Sequence, residues 1–177
     1  MYGSLAELKE YLGIAGETSD DDLLSALLER ATAAVEGYTG KRFTTVSETR
    51  SFPAWMATGM FLEVDFFVAL TAVTLDGEDI TDDVDVVPPR APHRGLVYGW
   101  PRRGTVAVTA EWGYAESAPA DVVQAAIRWA AYMYAQKDSG SFETVAMPEV
   151  GVLRVPAGVP ADVKSLLARY RNEVRFV

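Results

Sequence analysis

The hydrophobic period changes twice along this chain, and no single residue restricts the fold as much. Up to residue 40, and again from about residue 118, apolar side chains recur at three- and four-residue spacings. Over the roughly seventy residues between, they alternate in short runs rich in Val, Thr and aromatics. The first pattern favours amphipathic helix, the second half-buried strand. The expected class is therefore α+β: mainly an α-helical bundle of about four helices, with a small antiparallel sheet inserted between helices two and three. At 177 residues and 49% apolar, the chain suits one domain that buries its core without staples. The single domain, 1–177, would comprise a helical core at 4–40 and 118–171, a β insertion at 43–115, an arm at 139–158 and a C-terminal tail at 172–177.

The helix boundaries carry their own signals. Ser4 followed by Glu7 is a capping box, and Leu5, Leu8, Tyr11 and Leu12 share a face before Gly13. Ser19 or Asp20 can cap the second helix, with Asp21 and Asp22 in the first turn, where the helix dipole favours negative charge. Its stripe runs through Leu23, Leu24, Leu27, Leu28, Ala31, Val35 and Tyr38. Pro119 opens a third helix with Val122, Val123, Ala126, Ile127, Ala130, Met133 and Tyr134 on its buried side, widened by Trp129 and Tyr132. Pro160 opens the last, with Val163, Leu166, Leu167 and Tyr170 on one side. Between them, strands are expected in "RFTTVSETRSF", "GMFLEVD", "LTAVTLDGEDIT", "DVDVVP", "RGLVYGW" and "GTVAVTAEWGY", giving five or six strands with hairpin turns at "DGED" and "GWPRRG". "KDSGSFETVAMPEVGVLRVPAG" reads as a hairpin-like loop.

The stretch "EGYTGKRF" resembles a phosphate loop only at first sight. Such a loop needs a strand before its glycines and a helix after Lys-Ser/Thr. Here a helix precedes, a strand follows, and Arg42 stands after Lys41. Gly40 reads as a left-handed helix cap, with Lys41 and Arg42 complementing the carbonyl end.

Catalytic chemistry finds little support. There is no Cys, so disulfides, thiolate metal sites and Cys nucleophiles are excluded. His93 is the only histidine; it sits between prolines, reads as a surface-loop residue, and has no second ligand for zinc or a triad. Asp20, Asp21 and Asp22 diverge by about 100° each on a helix. Asp79, Asp82, Asp83 and Asp85 do not match an EF-hand and read as solvated turn residues. Ser139 and Ser141 form no nucleophile elbow. No metal or cofactor is expected. The net charge of −9 opposes phosphate gripping, and Trp55, Trp100, Trp112 and Trp129 read as core or interface rather than a stacking platform. Neither a signal peptide nor an apolar run long enough to span a bilayer is visible, so no membrane partner is expected.

The ordered set of motifs resembles the head–tail connector (adaptor) proteins of tailed bacteriophages over nearly the full length. The motifs are "LAELKEYLGI", "DDDLLSALLERATAAVEGYTGKRF", "LTAVTLDGEDIT", "YGWPRRGTVAVTAEWGY", "APADVVQAAIRWAAYMYAQKD" and "VPADVKSLLARYR". The resemblance implies a structural virion protein, not an enzyme. It would sit at the head–tail junction after assembly in the host cytoplasm. It would form a ring with copies of itself, commonly a dodecamer, with a monomer in isolation as the alternative state. Its other partners would be the portal protein and the next head-completion or tail protein, with DNA passing through the lumen without specific binding. Portal contact would fall on Tyr170, Arg171, Val174, Arg175, Phe176 and Val177. For the two unlike faces that a ring demands, Leu24, Tyr38, Trp129, Tyr132 and Met133 are the nominated subunit-interface residues, with core packing as the alternative. Negative charge lining the bore would keep DNA sliding. The rival readings are a small peptide- or ligand-binding module without catalysis and an acid-catalysed hydrolase, for which no particular carboxylate stands out.

Overall fold

The computed structural model describes residues 1–137, 144–147, 151–154 and 158–171. The chain divides into two compact units, Met1–Gly40 with Pro119–Val177, and Lys41–Ala118.

In the first unit, helix α1 (Leu5–Leu12) starts on the expected capping box. The Ser4 hydroxyl accepts from the Glu7 N–H at 3.2 Å, and the Glu7 carboxylate accepts from the Ser4 N–H at 2.7 Å. Helix α2 (Asp21–Thr39) buries Leu24, Leu27, Leu28, Ala31 and Val35. It stops at Gly40, whose φ of 64° is left-handed and whose N–H reaches the Glu36 carbonyl at 2.8 Å. A side chain there would meet the steric penalty of the left-handed region, about 1–2 kcal/mol. Helices α3 (Ala120–Ala135) and α4 (Ala161–Leu167) follow, and a 3-10 turn carries the chain on to Tyr170. Val122, Ala125, Ala126, Ala130, Val163 and Leu167 complete this core at no measurable exposure. Each fully buried Leu or Val contributes about 1.5–3 kcal/mol. Of the predicted arm, strands β7 (Thr144–Met147) and β8 (Gly151–Arg154) are described; they pair antiparallel, Thr144 opposite Arg154.

The second unit is a six-stranded antiparallel sheet. It contains β1 (Val46–Pro53), β2 (Phe61–Leu75), β3 (Glu78–Asp79), β4 (Asp85–Val87), β5 (His93–Val97) and β6 (Thr105–Trp112). The order is β1-β6-β2-β5-β4, with β3 hairpinned onto the end of β2. Asp76 and Gly77 link β2 to β3 with φ of 51° and 92°, the two positive angles of a type I′ turn. Strand β6 alternates without a break, burying Val106, Val108, Ala110 and Trp112. Strand β2 does not. Leu62 and Val64 are buried on even positions, Phe67 and Val73 on odd ones, and its pairing is irregular between Glu63 and Phe67. That bulge flips the inward face in mid-strand. Consequently its first half pairs with β5 and its second with β6.

One expectation needs correction here. The fold is not a helical bundle with a small β insert: about 28% of the chain is strand, and the six-stranded sheet has its own core. That core is built from Leu62, Phe67, Val73, Leu96, Val108 and Trp112, among others. The physical reason lies in β2. Its phase slip made one long strand look like two short ones, at 59–65 and 70–81, and hid a continuous spine. The Lys41 ammonium lies over the rings of Phe66 and Tyr114, at 5.3 and 4.9 Å. Burial, with Arg94 nearby, lowers its pKa.

Candidate interaction surfaces

The nominated residues of the helical unit fall into three settings. Leu24 is in the core, 1% exposed, so its side chain is spent inside the subunit. Trp129, Tyr132 and Met133 lie on the outer turns of α3, and helical geometry explains their position. Seven residues make nearly two turns, so Trp129 stands above Val122, Tyr132 above Ala125 and Met133 above Ala126. The lower three are fully buried. The upper three are not: Trp129 and Met133 are half-buried and Tyr132 is 37% exposed. Among the described residues, the apolar stripe of α3 therefore outlasts its cover.

The third setting joins residues nominated for different roles. The Arg171 guanidinium lies 5.5 Å from the ring centre of Tyr38, at the far end of α2. Just before it, Tyr170 is buried, and its hydroxyl donates to the Asp121 carboxylate at 2.9 Å. Arg169 pairs with the same carboxylate at 2.6 Å and donates to the Tyr170 hydroxyl at 2.5 Å. Burial, the larger cause, raises the Tyr170 pKa. Arg128 on α3 reaches Asp162 at 3.2 Å, so both ends of the last helical segment are tied to α3. Val174, Arg175, Phe176 and Val177 lie outside the described residues.

Two further ties were not legible in the sequence. Asp20 occupies the N-cap position of α2, but its carboxylate makes no cap bond. It accepts instead from Lys137 and from the Tyr134 hydroxyl, each at 2.6 Å. Those contacts, Lys137 first, lower the Asp20 pKa, and Asp20 in turn raises that of Lys137. No local pattern joins positions 20 and 134; only the packing of α2 on α3 does. Likewise Asp21 pairs with the nearly buried ammonium of Lys9 at 2.7 Å. A lysine within an apolar helix face was the one available sign.

The chemical candidates in the sheet unit resolve into structure. His93 is not a loop residue: it opens β5, half-buried, with its ring 5.0 Å from that of Phe67 and Nδ1 2.7 Å from the Pro88 carbonyl. Asp79 is tied into its own turn, accepting from the Thr81 hydroxyl at 2.6 Å and the Thr81 N–H at 3.0 Å, contacts that lower its pKa. Asp82, Asp83 and Asp85 are exposed. Among the described residues, no group of three or more His, Cys, Asp or Glu side chains is placed to hold a metal ion. Trp112 is core, its indole N–H donating to the Glu48 carbonyl at 2.8 Å, whereas Trp55 is 70% exposed.

No curated protein matches the sequence. The fold, however, is shared with chains of gene transfer agent particles. One belongs to the neck of an empty particle computed with C6 symmetry, at 23% identity and a TM-score of 0.68, covering 99% of this chain and 92% of that one. A chain of the native gene transfer agent virion matches at 24% identity with the same TM-score and coverage. A chain of the native neck computed with C12 symmetry matches at 25% identity and a TM-score of 0.62, covering 98% and 90%. A family model described as "head completion protein" matches residues 3–173. With that match spanning nearly the whole sequence, the chain belongs to the head completion protein family, structural proteins of the phage neck.

Proposed function

We propose that this protein is a head–tail connector that assembles as a ring beneath the portal and joins the DNA-filled head to the tail. The observation that carries the ring is the stripe of α3. Trp129, Tyr132 and Met133 continue a buried face beyond its cover within the described residues. An apolar surface of that kind gains free energy when a neighbouring copy covers it. Tyr38, also nominated for the subunit interface, lies on α2 rather than α3, and the second, unlike face that a closed heterologous ring requires is placed there. The related neck chains come from particles treated with C6 and C12 symmetry, which supports a ring, with twelve copies as the proposed number.

In this reading Arg171 and the following Val174, Arg175, Phe176 and Val177 dock on the portal. Tyr170, held by Asp121 and Arg169, fixes where that segment leaves the helical unit. The next head-completion or tail protein binds the opposite side. The surplus carboxylates face the bore, where they repel phosphates and let DNA pass without a grip. The protein's work is packing rather than chemistry. The test is to mix the purified chain with its portal and image the product. Rings on the portal are expected for the native chain, and none for Tyr132→Arg, which puts a charge into the proposed contact. Native-like rings from Tyr132→Arg would remove α3 from the interface; no rings from the native chain would overturn the reading.

A further inference from the structure

The sheet unit carries a second surface, distinct from α3 and independent of ring formation. Two segments, residues 53–62 and 98–104, lie side by side at the ends of β1 and β5. Their backbones are pinned together: Ala54 N–H to the Gly104 carbonyl at 2.9 Å, and Tyr98 N–H to the Met60 carbonyl at 3.0 Å. The Trp100 indole N–H also donates to the Met60 carbonyl at 3.0 Å. Between them opens a cleft of about 510 Å³ lined by Trp55, Trp100, Pro101 and Arg102, with the small residues Ala54, Ala57 and Gly59. At its rim Trp55, Met56 and Met60 are 70%, 50% and 62% exposed. A 3-10 turn, Ala54–Met56, holds Trp55 in that position, so the exposure is built in.

The charge at this place opposes that of the whole. The chain carries 25 acidic residues, yet neither segment contains one, while Arg102 and Arg103 sit exposed in the second. Neither arginine makes an ion pair among the described residues; Arg50 and Arg94 of the same unit each face a carboxylate. The neighbouring carboxylate, Asp76 beside Gly104, is engaged by the Thr105 N–H at 2.8 Å. Exposed Trp, Met and Arg around a preformed cleft is the composition of a protein-binding hot spot. Guanidiniums with no ion pair among the described residues, in an acidic chain, suit carboxylates from outside.

We infer that this tip binds an acidic protein segment carrying an apolar anchor. The anchor enters the cleft between Trp55 and Trp100, and flanking carboxylates pair with Arg102 and Arg103. The net charge of −9 disfavours such a segment over the surface as a whole, which favours the tip.

The probe is a synthetic peptide of about twelve residues, Asp- and Glu-rich with one central Leu, titrated into the full chain while tryptophan fluorescence is followed. Saturable binding that weakens with salt is expected. It should fall at least about tenfold for Trp55→Ala and for Arg102→Glu with Arg103→Glu, with unchanged circular dichroism. Arg102→Gln with Arg103→Gln should give an intermediate loss, which guards against a folding defect in the charge reversal. A Lys-rich peptide with the same Leu should not bind. The inference is overturned if the acidic peptide fails to bind, if the Lys-rich peptide binds equally, or if the Glu variants keep full affinity. It is also overturned if single-stranded DNA takes the tip in place of the peptide, or if sedimentation shows copies of this chain pairing through it.

Discussion

The helical unit and the sheet unit expose apolar surface in opposite ways. In the helical unit exposure is a continuation: the face that buries Val122, Ala125 and Ala126 runs on, in register, into Trp129, Tyr132 and Met133. In the sheet unit it is an addition. The core closes around Trp112 and Phe67, and the 3-10 turn after β1 adds Ala54 to it while Trp55 and Met56 of the same turn, and Met60 beyond it, stay exposed. A stripe that outlasts its cover points to a partner that extends the core, as another copy of the same chain does. A turn that carries apolar side chains beside exposed arginines, with no ion pair to them among the described residues, points to a partner of different chemistry. On the two proposals made above, one molecule would carry two kinds of contact, distinguishable by how each is built.

The largest effect that could break this contrast is loss of the sheet's own core. Trp112→Ala should cost about 3–5 kcal/mol in denaturant unfolding. A cost below about 1 kcal/mol would mean the sheet does not depend on its interior. Next is Gly95→Val. A β-carbon at Gly95 would meet the Phe61 ring at 2.1 Å, so overpacking of about 1–3 kcal/mol is expected, relieved when Phe61→Ala is added. A double-mutant cycle reads the relief, and simple additivity would contradict the cross-strand contact.

A smaller effect belongs to the helical unit. Asp20 is held below its ordinary pKa by the Lys137 ammonium and the Tyr134 hydroxyl. A carboxylate lowered on folding stabilises above its unfolded value, near pH 4, and loses that contribution as pH falls through the lower folded one. Asp20→Asn should therefore lower Tm at neutral pH, and the difference from the native chain should vanish in strong acid. An undiminished difference at low pH would show that the clasp is not ionic. The smallest effect is the most telling for the contrast. Trp55→Ala should change stability by no more than about 0.5 kcal/mol, although it removes the largest side chain of its turn. A core-sized loss would place Trp55 in the fold rather than on a binding surface.

Legibility followed the same division. Helix ends were readable because caps are local: Ser4 with Glu7, Gly13, Gly40, Pro119 and Pro160 each mark a boundary within a few residues. The weight of the sheet was not, because β2 changes its inward face at a bulge and alternation fails there. Side-chain ties across long intervals were also hidden. Asp20 looked like a cap and became the partner of Tyr134, and Tyr38 and Arg171, nominated for separate contacts, meet over one ring. The order of the motifs, in contrast, carried the family, since it reflects the whole chain rather than any one contact.

The central claim is that this chain works by packing around an axis in the neck. Its most direct test is a cryo-electron microscopy reconstruction of the neck from particles containing this chain. The account predicts a closed ring of copies between portal and tail, with Trp129, Tyr132 and Met133 of each copy covered by its neighbour. A neck in which the chain is absent, or present as isolated copies with α3 facing solvent, would contradict it.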